Sequence, residues 1–232
     1  MSEIARRSEF PDTRGWIRAL PARAASAPAF EPAVSAPAFD PAPTPQETFL
    51  RWLTDAVEAG IAEPHAATLS TVDPSGMPDA RTLLIKDVTD DGWWFSGDDR
   101  SPKGRQLDTA PAAALTVYWR ELGRQVRVRG PVLVGPPEVC ARDFRERSVF
   151  ARAVASTGRQ SEVLADPAEY DRLVQERLTA LEHDPEFVSP HWTAWCVAAG
   201  TVEFWQADPG RRHLRHRYRR KGDRWAAEEL HP

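Results

Sequence analysis

From Thr44 onward the chain alternates between blocks of helical period and blocks of strand period. Phe49, Trp52, Leu53, Ala56 and Val57 recur at the spacing of one helix face. Thr44 is suited to cap that helix, Pro45 to open it and Glu47 to its first turn, and Gly60 is a natural stop. From Ala66 the period changes to two. ATLSTV, the turn DPSG and DARTLLIKDV together predict a β-hairpin. Alternate strand residues share a face, so Arg81, Leu83 and Ile85 lie on one side and Thr82, Leu84 and Lys86 on the other. Lys86 then points among apolar neighbours, unless the strand ends there and its stem snorkels outward.

The same two periods carry on downstream. Gly92 leads into the strand WWFSG, a short helix follows over 103–107, and AAALTVYW is a strand. RQVRVRGPVLVG alternates cleanly, with Val126 and Val128 facing one way and Arg127 and Arg129 the other. Pro136-Pro137 opens a helix that runs to 147. A second helix over 167–181 sets Tyr170, Leu173, Val174, Leu178 and Leu181 on one stripe. Strands resume at WTAWCVAAG, TVEFWQ, RHLRHRYRR and DRWAAEEL, with turns at ADPG and RKGD.

Many short antiparallel strands at close spacing predict a barrel or sandwich, mostly β with flanking helices. No βαβ rhythm and no GxGxxG is present, which argues against a Rossmann cofactor site. The folded domain is expected over 45–232. Residues 1–44 form an N-terminal arm, dominated by Ala and Pro from Pro21 onward. It has no helical or strand period and is expected to be extended or disordered. Phe30 and Phe39 are spaced anchors should the arm lie across the body, and a short helix is expected around Trp16.

Composition narrows the class. Apolar residues make up 41% and charged residues 28% of the 232-residue chain, as in an ordinary globular protein. No apolar run approaches the roughly 20 residues that cross a bilayer, and the first residues carry no secretory h-region. The expectation is a soluble, cytoplasmic protein. Cys140 and Cys196 are isolated and fit no metal spacing, and Cys140 falls on a helix as a buried rather than reactive thiol. HExxH, CxxC, P-loop and GxSxG motifs are absent and the histidines are scattered, so no metal is expected. A net charge of −4 gives no reason to expect nucleic acid.

Local charge is another matter. Between Arg211 and Lys221 lie seven Lys or Arg and two His, without an acid. In a strand, Arg211, His213, Arg215, Arg217 and Arg219 would share a face, where like charges repel unless an anion or carboxylates offset them. Arginine suits bidentate phosphate contact, but such a row also serves as a solvated edge strand. Trp205, in the EFWQ run just upstream, is a plausible wall for a planar ring. SPKGR (101–105) reads as a helix start with Lys103 in the first turn, and free N–H groups there suit an anion. Lys86 is open to two readings, a structural ion pair or an anion contact.

Together these stretches resemble the pyridoxamine 5′-phosphate oxidase family of FMN enzymes. The resemblance runs from Pro45 to Pro232 and includes RTLLIK (81–86), FSGDDRSPKG (95–104), RQVRVRG (124–130), GRQS (158–161), EFWQ (203–206) and RxHxR (211–215), in the family's order and spacing. It implies a split β-barrel homodimer with FMN in clefts between subunits. It also implies an oxidase acting on pyridoxamine or pyridoxine 5′-phosphate, with O2 as acceptor and H2O2 as product. Carried over, Arg81 and Lys103 would contact the FMN phosphate. Thr82, Leu83, Leu84, Ser96 and Gly97 would line the flavin. Gln125, Gln160, Ser161, Trp205 and Arg215 would complete its site, some from the partner chain. Arg211 and His213 would act on the substrate, and Lys86 and Arg147 would bind its phosphate.

Three positions depart from the pattern. Pro102 stands where the family has an arginine, and Arg100 and Arg105 are the nearby substitutes. Asp143 and Ala151 fall where a tyrosine and a serine belong to the substrate-phosphate cluster. YWRE (118–121), SPKGRQL and GRQSEVL also resemble the phenazine-forming branch, whose flavin oxidase aromatises a tricyclic dicarboxylic acid. That branch, and a non-catalytic flavin carrier, are the alternative readings.

Overall fold

The computed structural model describes residues 39–208, 210 and 212–232. Among them, the first helix, α1 (Pro45–Glu58), forms where the apolar spacing put it. The Thr44 hydroxyl accepts from the Glu47 N–H, and the Glu47 carboxylate accepts from the Thr44 N–H. This reciprocal pair satisfies two of the helix's orphan donors. Phe49, Trp52 and Ala56 are buried on the inner face.

Ten strands follow or interleave with four more helices. They are β1 (Ala66–Val72), β2 (Pro78–Leu84), β3 (Asp87–Thr89), β4 (Gly92–Asp98), α2 (Pro102–Thr109), β5 (Ala112–Trp119) and β6 (Arg124–Val134). Then come α3 (Pro137–Arg145), α4 (Val149–Ser156), α5 (Pro167–His183), β7 (Trp192–Val197), β8 (Thr201–Gln206), β9 (Leu214–Lys221) and β10 (Arg224–Glu229). The strands are antiparallel in the order β10-β9-β8-β6-β5-β1-β2, with β3, β4 and β7 joined through β6.

The long strand β6 makes the sheet curl. Its first half pairs with β5 and β8, and residues 132–134 pair with β7. The change falls at Gly130-Pro131. A Cβ on Gly130 would overlap the Ala198 carbonyl, so a side chain there would force the two segments apart. On the other side, the Ile85 N–H donates to His65 O (3.0 Å) and the Lys86 N–H to Trp94 O (2.8 Å). The sheet thus closes round an interior of Leu69, Trp93, Phe95, Leu115, Val117, Val126 and Val128, all buried.

Several expectations need adjustment. DARTLLIKDV is not one strand: it breaks after Leu84, and Ile85 turns inward. Lys86 is therefore exposed, not set among apolar neighbours, and the strand-end alternative holds. The helix from 137 stops at Arg145, and α4 follows it unforeseen, capped by the Ser148 hydroxyl. Both cysteines are free. Cys196 is buried, which pushes its thiol up to about 12, whereas Cys140 is only half-buried. The helix around Trp16 and the anchor Phe30 lie outside the described residues.

The other anchor is seen. Phe39 packs against Trp52, Phe204 and His216, with the His216 ring 4.9 Å away. Ahead of α1 the chain is tied down by Tyr218, whose hydroxyl donates to Ala42 O (2.8 Å) and meets the Thr48 hydroxyl (2.9 Å). Tyr218→Phe leaves the buried Ala42 carbonyl short of a donor. The expected loss is about 1–2 kcal/mol in chemical denaturation, with no change in ligand binding.

Candidate functional site

One cavity of about 580 Å³ opens beside the curled sheet. β2 supplies Arg81, Thr82, Leu83 and Leu84, and the strand end beyond it supplies Lys86. β4 supplies Ser96 and Gly97, and the start of α2 supplies Lys103. Arg147 enters from the α3–α4 junction. The α4–α5 connection contributes Gln160 and Ser161, and Tyr170 and Leu173 of α5 close the apolar side. Eleven of the sequence-derived candidates therefore line one space.

The start of α2 explains Lys103. Ser101 caps the helix, accepting from the Gly104 N–H (3.3 Å) while donating to Asp98 O (2.6 Å). Pro102 follows at the first helical position, where its missing N–H costs nothing. The Lys103 ammonium donates to the Ser101 hydroxyl and to Gln160 Oε1, each at 3.0 Å. A Cβ on Gly97 would press into the Lys103 side chain, so the glycine makes room for it. Burial, and then the charge of Arg81, lower the Lys103 pKa from 10.5 to about 8, against the opposing pull of Asp98. A cation held so dry is ready for an anion.

Arg81 is held by a fixed set of acceptors. It donates to the Thr71 hydroxyl (2.5 Å), to Asp79 (2.5 Å) and to Gln106 Oε1 (3.0 Å). Sequence reasoning missed Thr71, Asp79 and Gln106, because they come from three elements and carry no motif. At Arg147, another basic group of the cavity, burial lowers the pKa and Asp143 opposes the shift.

Two observations suit a bound polar ligand. The Ser96 hydroxyl and the Arg147 Nε are buried and have no partner. Ser161 adopts a left-handed conformation (φ 70°), costly for a serine, in the segment that borders the cavity.

The remaining candidates lie elsewhere. Gln125, Trp205 and Arg215 are neighbours in one row across β6, β8 and β9, beginning with Tyr118 of β5. None lines the cavity. Arg215 makes two hydrogen bonds to Glu203 Oε1, at 2.9 and 2.7 Å. His213 precedes β9 rather than joining it, with its ring 5.0 Å from that of Trp205. The Asp208 N–H donates to His213 Nδ1 (3.1 Å), which leaves Nε2 to carry the proton of the neutral ring. Arg211 lies outside the described residues. Further along β9, Arg217 and Arg219 both donate to Glu228 at 2.7 Å, so carboxylates offset the arginine row.

The proposed substitutes for an arginine at 102 do not reach the cavity. Arg100 is bound at both ends of the Asp98 carboxylate, and Arg105 donates to the Arg100 carbonyl. Asp143 and Ala151 do not line the cavity either. The Asp143 carboxylate accepts from the Trp192 indole N–H (2.7 Å) and borders a neighbouring recess that shares Lys86.

A family profile described as pyridoxamine 5′-phosphate oxidase matches residues 53–215. A pyridoxine/pyridoxamine 5′-phosphate oxidase of Thermosynechococcus vestitus is 44% identical over 191 residues, covering 81% of this chain and 89% of the relative. The chain belongs to the pyridoxamine 5′-phosphate oxidase family. Its similarity to the protein of that name from Neisseria meningitidis is 38% identity, over 82% of this chain and 90% of the other.

Solved structures of the family agree on the fold. PhzG of Burkholderia lata, crystallised with tetrahydrophenazine-1-carboxylic acid, is 29% identical with a TM-score of 0.77, covering 83% of this chain and 95% of that one. A pyridoxamine 5′-phosphate oxidase-related FMN binding protein of Nostoc punctiforme is 18% identical with a TM-score of 0.66, covering 83% and 100%. The curled sheet is thus the split barrel of the pyridoxamine 5′-phosphate oxidase family. The matched span takes in every candidate position from Arg81 to Arg215. No helix among the described residues is long and apolar enough to cross a membrane.

Proposed function

We propose that the chain is an FMN-dependent oxidase that converts pyridoxamine or pyridoxine 5′-phosphate to pyridoxal 5′-phosphate, with O2 as acceptor and H2O2 as product. The observation that carries this reading is the cavity lined by Arg81, Lys103, Lys86 and Arg147. Two phosphorylated ligands, cofactor and substrate, call for that many cations in a partly dry space.

The residues present fit FMN. Arg81 and Lys103 would hold its phosphate, and the β2 residues 82–84 with Ser96 and Gly97 would line the ring, giving the orphaned Ser96 hydroxyl a partner. Gln160 and Ser161 would border the same ligand. When bound, FMN supplies the hydride acceptor and the route to dioxygen. The protein orients and neutralises: Lys86 and Arg147 would grip the substrate phosphate. Arg211 would offset charge, and His213, with its Nε2 free of the backbone contact, would orient the substrate or assist proton transfer.

A homodimer supports the rest of the site. Gln125, Trp205 and Arg215 form one row away from the cavity of their own chain, as expected if a second copy contributes them. The domain is taken as 45–232 with the arm ahead of it.

A second reading has its own support. Asp143 and Ala151 offer no phosphate contact to the cavity, and PhzG was crystallised with a reduced carboxylic acid. On that reading the substrate is a reduced aromatic carboxylic acid of secondary metabolism.

Purified protein is expected to be yellow and to consume oxygen with pyridoxine 5′-phosphate, releasing peroxide, and to lose at least about a hundredfold in kcat/KM in the Arg211→Ala, His213→Ala double variant. A yellow protein inert to B6 phosphates but active on reduced aromatic carboxylates selects the second reading. Full turnover by the double variant would remove Arg211 and His213 from the roles given them, and a yellow protein inert to both substrate classes would leave only a flavin carrier.

A further inference from the structure

Trp192 opens β7 and is nearly buried, 8% exposed. Its backbone N–H donates to Ser189 O (3.0 Å), its indole N–H to Asp143, and its ring meets Phe144 edge-on at 5.8 Å. The indole is therefore fixed by its backbone, its edge and a neighbouring ring. The Arg147 guanidinium lies over it, 4.3 Å from the ring centroid. Arg147 and Trp192 line the main cavity; Asp143, one turn before Arg147, does not. A guanidinium stacked on an aromatic face has its plane fixed, which leaves the in-plane N–H groups for a ligand. The buried Arg147 Nε, without a partner, is such a group.

We propose that Trp192, locked by Asp143, is a positioning residue that presents Arg147 to the anionic group of the substrate. The inference rests on the reading of this cavity as the substrate site. It also gives the acid at 143 a task. Where an acid in the anion's path would repel it, here the carboxylate is committed to the indole N–H, and its charge favours the neighbouring guanidinium. Arg147 has few other ways to hold its plane, because it follows the end of α3 rather than lying within the helix.

The test uses the flavin-loaded full chain, with phenyl phosphate as the anion probe in calorimetric titration and pyridoxine 5′-phosphate in turnover. Trp192→Leu is expected to weaken phenyl phosphate about tenfold, the scale of a desolvated cation–π contact. It should raise KM by a similar factor while kcat and flavin affinity stay within about twofold, since neither depends on this contact. In an Arg147→Ala background, Trp192→Leu should add nothing, because the contact it serves is already gone. Trp192→Phe keeps the ring but not the N–H and should lose about threefold, and it carries the same test if the leucine variant does not fold. Equal weakening by the Trp192 substitution with and without Arg147, or none at all, overturns the proposal. If Arg147→Ala itself leaves phenyl phosphate affinity unchanged, the assignment of the cavity to the substrate anion falls first.

Discussion

Lys103→Met is expected to yield a protein that loses its flavin yet is harder to unfold when ligand-free. Lys103 is buried, and its pKa stands at about 8 instead of 10.5 because burial disfavours the charged form. That difference amounts to roughly 3 kcal/mol against the folded state at neutral pH. The sign follows from proton counting. Between pH 8 and 10.5 the unfolded chain binds more protons than the folded one, so stability rises with pH across that window. The penalty is fully present below about pH 8.

Methionine keeps the length and removes the charge. It also removes the hydrogen bonds to Ser101 and Gln160, about 1 kcal/mol each, so the net gain is about 1 kcal/mol. For a chain of this size that raises Tm by about 2–4 °C. The rise in stability between pH 8 and 10.5 should flatten in the variant. If Lys103 holds the flavin phosphate as proposed, flavin affinity should fall on the order of a hundredfold with the loss of that charge-assisted contact. Thermal melts of ligand-free protein and a visible spectrum check both halves. A Lys103→Met protein that purifies yellow with wild-type affinity removes Lys103 from the cofactor site.

Gly104→Ala is the second large effect, and it acts through the backbone. A Cβ at Gly104 would overlap the Asp99 carbonyl and crowd the Asp99 Cα, neither of which can swing aside as a side chain could. The turn from β4 into α2 must open, and with it the Ser101 cap and the placement of Lys103. Overpacking against backbone is expected to cost about 3 kcal/mol or more in urea denaturation. Gly97→Ala makes a useful contrast, since its Cβ would crowd the flexible end of Lys103 and make only ordinary contact with the Trp195 ring. It should leave the fold nearly intact while disturbing the cavity. If Gly104→Ala unfolds at the wild-type midpoint, the close approach of α2 to Asp99 is not a constraint on the turn.

How much of this was legible beforehand depends on the range of the interaction. The Thr44 cap and the face of α1 are local, so spacing alone predicted them. The alternation of Val126 and Val128 with Arg127 and Arg129 gave the buried and outer faces of β6 directly. The order of motifs pointed to the family, and eleven carried-over residues do share a cavity. Long-range partners left no such trace. The acceptors around Arg81 come from β1, β2 and α2, and the indole that takes Asp143 out of the cavity is 49 residues away. The strand end near Lys86 was left open rather than placed after Leu84, because the residues on either side keep strand character while Ile85 bonds across to His65.

The sequence by itself determined the periods, the caps, the turns and the stock of cations, because these depend on neighbours within a few residues. Only the tertiary structure decided which cations meet. Arg81 and Lys103 were brought together in one cavity, Arg217 and Arg219 onto one carboxylate, and Arg147 against Trp192. The physical reason is that an arginine or lysine reads the same in any sequence. Its task is set by the desolvation, counter-charge and aromatic surface that other segments bring to it when the sheet closes.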